Sequence, residues 1–301
     1  MTKRENPRRR EREFNKFQEK SNKGLRKRDE NQGFKRESRA IAPAKETNIE
    51  AIREDLVLGR NAVIEALKSD RTIECLYVSK GDLEGSIKVA LGLAKDKGIV
   101  VKEADRRKLD TMCEGLNHQG IVAKVTPFKY CEVNDILEVA EKKEEKPFIV
   151  ILDEIEDPHN LGSIIRTAEL CGVHGIIIPK RRNVGVTSTV YKCSAGAIEH
   201  MKIAKVTNIN ATIDMLKEKG IWIYGADIEG KDYSYNTDFS GPCALIIGSE
   251  GKGISNLTLK KCDLLVKIPM VGKINSLNAS VAGGIMTVSY THLTLPTICS
   301  V

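Results

Sequence analysis

Two loops rich in glycine and polar residues carry the side chains best suited to chemistry in this sequence. They span Gly248–Ser255 and Pro269–Asn278, and each follows a short apolar run, Ala244–Ile247 or Leu264–Ile268. Short apolar runs that end in Gly or Pro are typical of buried parallel strands. Because ligands of open α/β sheets bind beyond the carboxyl ends of the strands, both loops are predicted to face a ligand.

Three polar side chains of these loops are candidates for contact with that ligand. They are Glu250, Ser276 and Asn278, and none of them has an evident role in a hydrophobic core. Ser276 has an alternative structural role, because a serine just before Leu277 could cap the following helix. The glycines of the first loop, beginning with Gly248, allow the backbone to approach a ligand closely.

Two further candidates lie on the helix predicted over Leu161–Cys171. Asn160 directly precedes this helix, so capping of the helix is the structural alternative to a role in chemistry. Arg166 falls between Ile165 and Ala168, close to the apolar face. A charged side chain in such a place is expected to be paired or to face a ligand.

Other kinds of site are disfavoured by the sequence. The run GSEGKG lacks the Lys-Ser or Lys-Thr ending of a phosphate-binding P-loop, and no GxGxxG motif follows the first strand. The eight cysteines form no CxxC pair, and the five histidines show no ligand spacing. These patterns predict free thiols in a reducing cytosol and no metal site.

The excess positive charge lies in the N-terminal tail. Residues 1–48 hold 16 basic and 8 acidic side chains, a net charge of +8, whereas the whole chain carries +7. Because large apolar residues are few, residues 1–53 are predicted to be disordered. The tail is either a solubilising extension or an arm that binds nucleic-acid phosphates, and dense clusters such as Arg8-Arg9-Arg10 favour the arm. No apolar run is long enough to span a membrane, so a cytoplasmic protein is expected.

A chain of 301 residues is predicted to form two folded domains. Residues 54–128 alternate short strands, one of them at Ile99–Val101, with helices, which predicts a small α/β domain that binds substrate. Residues 129–147 are predicted to form a solvated linker helix. Residues 148–290 alternate strand and helix throughout, which predicts a mostly parallel sheet with helices on both faces.

Three short blocks occur in order within the second domain. They are Asp157-Pro158-His159-Asn160-Leu161-Gly162 with Arg166, then Ile247-Gly248-Ser249-Glu250-Gly251-Lys252-Gly253, then Ile268-Pro269-Met270 with Ser276-Leu277-Asn278-Ala279-Ser280-Val281-Ala282. Together and in this spacing they resemble the SpoU (TrmH-type) family of RNA ribose methyltransferases, of the SPOUT class. The resemblance covers roughly Leu56 to Met286, and is nearest to the bacterial branch that methylates a guanosine ribose in large-subunit ribosomal RNA.

The resemblance implies a fold, a cofactor and partners. The fold is a mostly parallel sheet whose C-terminal segment threads a loop to form a trefoil knot, preceded by a small α/β substrate-binding domain. S-adenosylmethionine is expected to bind in the knot. The residues expected around it are Ile247, Gly248, Ile268, Pro269, Met270 and Leu277. The family acts as a homodimer with the active site near the subunit boundary, so RNA and a second copy of the chain are the expected partners.

The resemblance also implies roles for the polar candidates. Arg166 matches the catalytic arginine, either as a base with lowered proton affinity or, as we favour, as a clamp on RNA phosphate that polarises the hydroxyl. Free arginine is a poor base, because its pKa lies above about 12. Asn160 and Glu250 are expected to orient Arg166 or the ribose, and Ser276 and Asn278 to position cofactor or substrate. In-line attack by a ribose 2′-hydroxyl needs such positioning and a route for its proton.

The end of the chain departs from the family. After Met286 it is rich in β-branched residues and contains Pro296, which costs about 3 kcal/mol inside a helix. The last helix is therefore predicted to end near Tyr290, and residues 291–301 to form an atypical end that weakens the knot and the dimer.

Two other functions remain open at this stage. One is the same reaction on transfer RNA, which the motifs do not separate from ribosomal RNA. The other is a non-catalytic RNA-binding protein of the same fold. The presence of all five polar candidates argues against the second, and binding of S-adenosylmethionine would decide it.

Overall fold

The computed structural model describes residues 55–81, 85–274 and 276–294. The tail predicted over residues 1–53 and the segment from residue 295 onwards, with Pro296, lie outside the described residues. No helix within the described ranges is long and apolar enough to cross a membrane.

The first domain is a four-stranded sheet covered by helices, as predicted. Its strands are β1 (Leu56–Leu58), β2 (Ile73–Ser79), β3 (Val101–Ala104) and β4 (Ile121–Val125), and its helices are α1 (Arg60–Lys68), α2 (Ser86–Asp96) and α3 (Arg106–Met112). The strand order is β1-β4-β2-β3. Strand β4 runs antiparallel to β1 and β2, and β3 runs parallel to β2.

The strand predicted at Ile99–Val101 begins later than expected, at Val101. The residues before it form the C-terminal cap of α2. Gly98 adopts a left-handed φ of 65°, and the Ile99 amide donates to the Ala94 carbonyl at 2.8 Å. The chain becomes extended only after this helix end is satisfied.

The second domain is a seven-stranded sheet in which every hydrogen-bonded pair of strands is parallel. Its strands are β5 (Phe148–Asp153), β6 (Gly175–Pro179), β7 (Ile203–Val206), β8 (Trp222–Ala226), β9 (Asp232–Tyr233), β10 (Cys243–Gly248) and β11 (Leu264–Lys267). The strand order is β7-β6-β5-β10-β8-β11-β9. The prediction of a mostly parallel sheet is confirmed.

Helices cover both faces of this sheet. They are α4 (Val133–Lys142), α5 (Pro158–Leu170), α6 (Ser188–Cys193), α7 (Ile209–Glu218), α8 (Asn256–Leu259) and α9 (Ala279–Thr294). Along β5, Phe148 and Val150 join a core with residues of α5 and α9. Ile149 and Ile151 join a second core with residues of α4 and α7. Both faces are therefore apolar, which is why the strands read as continuous hydrophobic runs.

The segment predicted as a solvated linker helix is part of the second core. Helix α4 buries Val133, Ile136 and Ala140. A Cβ on Gly175 would lie 2.5 Å from the Ile136 side chain, so β6 has no room for a larger residue against this helix. The interpretation of a fully solvated helix is wrong, because its apolar face packs on the sheet and only the opposite face is charged.

A buried ion pair joins the two domains. The Arg71 guanidinium lies 3.0 Å from Glu199, and both side chains are less than 10% exposed. Arg71 also stacks over the Tyr191 ring, 4.4 Å from its centre. Ser69 Oγ donates to the other Glu199 oxygen at 3.1 Å. These contacts fix α6 and the turn that follows it against the small domain.

The last helix extends beyond the predicted end at Tyr290 and reaches Thr294. Thr287, Thr291 and Thr294 each donate a hydroxyl to the carbonyl four residues earlier. Tyr290 stacks on Phe148 with ring centres 3.5 Å apart. Low helix propensity costs only tenths of a kcal/mol per residue, and aromatic stacking of about 0.5–1.5 kcal/mol is comparable to the sum of such terms. The predicted helix end is wrong because tertiary packing outweighs propensity here.

Candidate functional site

The carboxyl ends of the central strands form the candidate site. Strand β10 lies between β5 and β8, and β11 is the next strand beyond β8. Because these strands are parallel, the loops that follow them leave the sheet at one edge. Residues of the two loops singled out in the sequence line one cavity there, and a ligand in it stays a prediction.

Strand β10 ends in a tight turn that leaves no space beside its last residue, Gly248. Ser249 and Gly253 exchange backbone hydrogen bonds of 3.1 and 2.9 Å. A Cβ on Gly248 would lie 2.1 Å from the Gly253 carbonyl carbon and 2.2 Å from the Ile254 nitrogen. Glycine is required at position 248 by this backbone contact, in addition to any approach of a ligand.

Three polar side chains from distant parts of the chain meet beside this turn, and we call them the amide–carboxylate cluster: Asn160, Glu250 and Asn278. Asn160 Nδ2 donates to Glu250 Oε1 at 2.7 Å, and Asn278 Nδ2 donates to the same oxygen. Asn278 Nδ2 also lies 3.0 Å from Asn160 Oδ1. Both amides thus donate to the same Glu250 oxygen, Oε1, which leaves Oε2 available for other partners.

The structure removes the capping alternative for Asn160. Helix α5 begins at Pro158, and the Asp157 carboxylate caps it by accepting the His159 amide at 2.9 Å. Proline suits the first helical position because it lacks an amide hydrogen there. Asn160 therefore lies inside the helix, and it is 5% exposed. A buried amide needs hydrogen-bond partners, and Glu250 supplies one.

Capping of the last helix belongs to Asn278 and not to Ser276. Asn278 Oδ1 accepts the Ser280 amide at 3.0 Å and the Val281 amide at 3.3 Å. Asn278 therefore caps α9 with its oxygen while its nitrogen binds Glu250. Ser276 is exposed and lines the cavity described next.

A cavity of about 430 Å³ lies between the turn after β10 and the start of α9. Its size falls within the range of roughly 300–1,000 Å³ typical of small-molecule sites. The candidates that line it are Ile247, Gly248, Glu250, Ser276 and Leu277. A smaller adjoining cavity of about 70 Å³ adds Ile268 and Met270. Pro269 lines neither cavity and connects these two residues in the chain.

A third wall of this cavity was not predicted from the sequence. Residues Ala226, Asp227 and Ile228 line both spaces. They lie at and just beyond the end of β8, so the end of the apolar run from Ile221 to Gly225 was the signal that could have found them. Ile228 is 55% exposed, and such an apolar side chain at a cavity mouth is available to a ligand.

A second cavity, of about 250 Å³, shares Glu250 with the first. Asn160 and Glu250 line it together with Ser249 and Lys252, and the loop after β5 completes it. That loop contributes Glu154, Ile155, Glu156 and Asp157. Glu250 thus lines both an acidic cavity and a larger cavity that is in part apolar.

Arg166 is not brought to the cluster within this chain. It lies six residues beyond Asn160 on α5, a rise of about 9 Å along the helix. Its side chain is exposed, and it has no hydrogen bond or ion pair to any residue that the structure describes. Of the two expectations for Arg166, an ion pair is not found among the described residues, and a position that faces a ligand stays a prediction.

Burial disfavours the thiolate form of several cysteines. None of the seven cysteines in the described ranges forms a disulfide, as predicted. Cys193 Sγ lies 3.2 Å from His159 Nδ1, but burial raises the pKa of this thiol above its usual range. Burial likewise raises the pKa of Cys131 to about 11. A thiolate nucleophile is therefore disfavoured here.

Comparisons with known families match both domains. The profile of the SpoU rRNA Methylase family matches residues 147–288. The profile described as RNA 2′-O ribose methyltransferase substrate binding matches residues 56–131. The family proposed from the three blocks is therefore confirmed.

Relatives and solved structures agree with these matches. YacO of Bacillus subtilis, named as a TrmH family tRNA/rRNA methyltransferase, is 52% identical over 77% of this chain and 93% of its own. A relative of the same name from Staphylococcus haemolyticus is 45% identical over 77% and 94%. The SpoU methyltransferase AviRb of Streptomyces viridochromogenes, solved in complex with AdoMet, has the same fold, with a TM-score of 0.67, 24% identity, and coverage of 79% of this chain and 89% of its own.

A structure of an rRNA methyltransferase from Sinorhizobium meliloti is also similar. It gives a TM-score of 0.66 at 25% identity, over 80% of this chain and 88% of its own. With both domains matched in order and a relative more than half identical, the chain belongs to the SpoU, or TrmH, family of tRNA/rRNA methyltransferases.

Proposed function

We propose that this chain transfers the methyl group of S-adenosylmethionine to the 2′-hydroxyl of a guanosine ribose in large-subunit ribosomal RNA. Membership of a tRNA/rRNA methyltransferase family supports methyl transfer to RNA. The observation that carries the site assignment is the amide–carboxylate cluster, whose Glu250 lines two cavities. One cavity suits the cofactor and the other suits the nucleotide.

The larger cavity fits S-adenosylmethionine in size and chemistry. Ile247 and Gly248 line it, and Leu277, with Ile268 and Met270 of the adjoining cavity, gives an apolar side that suits an adenine ring. Pro269 would hold the loop between the last two. When bound, this cofactor supplies an electrophilic methyl group on a sulfonium.

The cluster would position the ribose for attack. Glu250 Oε1 is occupied by the two amides and by the Ala279 backbone amide at 3.3 Å, so Oε2 is the oxygen that would accept a hydrogen bond from a ribose hydroxyl. Asn160 and Asn278 keep the carboxylate in one orientation, and Ser276 lies on the cofactor side. Such preorganised polar groups act by orientation and not by covalent catalysis.

The separation of Arg166 from the cluster supports a homodimer with the active site near the subunit boundary. Helix α9 leaves Val281, Ile285 and Val288 exposed by 49, 39 and 37%. Their spacing places them on one side of α9, which packs on the helix that carries Arg166. We propose that a second copy covers this face and that Arg166 clamps RNA phosphate at the boundary.

Sedimentation tests the dimer directly. Ile285→Glu would place a charge on the exposed face, so the dimer fraction is expected to fall. Val89→Glu is the matched control. Val89 is also an exposed apolar residue, and it lies on α2 of the small domain. A monomer for the unchanged chain would contradict the proposal.

The knot and the cytoplasmic location remain part of this proposal. The C-terminal segment follows β11 and returns across the sheet as α9, whose buried residues join the core formed with α5. This course supports threading through a loop, as the family resemblance implies.

Calorimetric titration with S-adenosylmethionine is the first test, because a non-catalytic RNA-binding protein would give no heat of binding. Incubation with transcribed large-subunit rRNA and with tRNA, followed by mapping of ribose methylation, then identifies the nucleotide. Glu250→Gln should lower the methylation rate, whereas Glu218→Gln, an exposed carboxylate on α7, should not. Methylation of tRNA alone would establish the alternative substrate.

A further inference from the structure

An exposed basic loop lies beside the acidic cavity. Lys180, Arg181 and Arg182 follow β6, which is the neighbour of β5, and so leave the sheet at the same edge as the candidate site. All three are exposed. The side chains of Lys180 and Arg181 make no hydrogen bond or ion pair within the part of the chain that the structure describes. Two cations are thus free to bind an anion.

This loop is held against the cavity wall by specific contacts. Asn183 Oδ1 accepts the Ile155 amide at 2.8 Å, and the Val184 amide donates to the Ile155 carbonyl at 2.9 Å. Arg182 forms an ion pair of 2.9 Å with Glu154. Since Ile155 and Glu154 line the acidic cavity, the basic loop forms part of its surroundings.

The charges of the cavity and of the loop have opposite signs. The cavity is lined by four carboxylates, from Glu154, Glu156, Asp157 and Glu250, and by one ammonium, from Lys252. A phosphate inside would be repelled by these carboxylates. A ribose or a base is uncharged and can donate hydrogen bonds to carboxylate oxygens. RNA would therefore enter with its nucleoside inwards and its phosphates outwards.

We propose that Lys180 and Arg181 bind the RNA phosphates that flank the target nucleotide, while its nucleoside enters the acidic cavity. Arg182 holds the loop in place through Glu154. This inference rests on the proposed function, because it places the substrate of that reaction. It assigns the two cations to substrate binding and not to the chemical step.

Salt dependence of RNA binding tests the assignment. The probe is a labelled, mixed-sequence, single-stranded RNA of 12 nucleotides, and the protein is the full chain with Lys180→Gln and Arg181→Gln. The matched control is Lys143→Gln with Lys219→Gln. Both control lysines are exposed and follow helices that lead into β5 and β8, so they lie at the opposite, amino edge of the sheet.

The loop variant is expected to bind the probe about tenfold more weakly at low salt. Each lost phosphate contact lowers the slope of log affinity against log salt by about 0.7 for single strands, so a decrease of about 1.4 is expected. The control variant should keep the slope of the unchanged chain. In the methylation assay, the RNA concentration for half-maximal rate should rise while the maximal rate stays the same.

Failure of the phosphate-binding assignment and failure of the proposed function would give different results. Equal slopes for the loop variant and the control would overturn the assignment, as would a lower maximal rate with unchanged half-saturation. A chain that binds no S-adenosylmethionine would instead overturn the proposed function, and the slope measurement would still decide whether the loop binds phosphates.

Discussion

Three glycines in the candidate cofactor loops allow the stability of the site to be tested by one type of substitution. In Gly248→Ala the new Cβ would lie 2.1 to 2.4 Å from the backbone of Gly253 and Ile254. Relief of this overlap requires a backbone shift of roughly 1 Å. That shift would break the two Ser249–Gly253 hydrogen bonds, each worth about 1 kcal/mol. Overpacking adds roughly 1–3 kcal/mol, so a destabilisation of at least about 3 kcal/mol is expected.

The other two glycines provide graded controls. Gly251 has space for a Cβ but a φ of 82°, so Gly251→Ala should cost about 1–2 kcal/mol through backbone strain alone. Gly272 has neither restriction, since the nearest atom is 4.0 Å away, and Gly272→Ala should be neutral or stabilise by about 0.4–1 kcal/mol.

Urea denaturation and calorimetric titration with S-adenosylmethionine measure the series. The expected order of unfolding midpoints is Gly272→Ala highest, then Gly251→Ala, then Gly248→Ala. Gly248→Ala should also bind the cofactor at least about tenfold more weakly, because the displaced turn lines the large cavity. If Gly248→Ala and Gly272→Ala unfold at the same urea concentration, the steric reasoning is refuted.

Three further predictions concern the reaction, the tail and the last helix. Arg166→Ala should abolish methyl transfer and leave cofactor affinity nearly unchanged, because the cofactor cavity is formed elsewhere; a large loss of affinity in calorimetry would contradict this. Deletion of residues 1–48 should weaken RNA binding and flatten its salt dependence, since a net charge of +8 lies there; an unchanged slope would leave the tail as a solubilising extension. Burial raises the pKa of Tyr290 to about 12, so folding stability should be intact below about pH 10, where the unfolded phenol begins to ionise, and decline from there to about pH 12. Alkaline melts should show less of this decline in Tyr290→Phe and the full decline in the control Tyr235→Phe.

Much of the fold could be predicted from local pattern. Apolar runs that end in glycine predicted the central strands. A strand that is buried on both faces has apolar residues at nearly every position, so its sequence is recognisable. Errors arose where distant residues set the outcome. Helix α9 passes its predicted end because Tyr290 stacks on Phe148, which lies 142 positions earlier in the chain. Charged residues dominate the sequence pattern of the helix from Val133 and predict a solvated helix, although Ile136 and Ala140 are fully buried.

Some features of the candidate site were likewise predictable from local pattern, and others depend on packing between distant residues. Local pattern was enough to predict which residue types lie at the carboxyl ends of strands, because strand ends and turns follow from local propensity. Packing of distant segments brings Asn160 and Asn278 to one oxygen of Glu250, from which they are 90 and 28 positions away along the chain. It also decided that Arg166 faces solvent, because the rotation of α5 is fixed by the apolar residues that it buries against the sheet. Long-range pairing and helix rotation depend on packing over the whole core, which no local pattern contains.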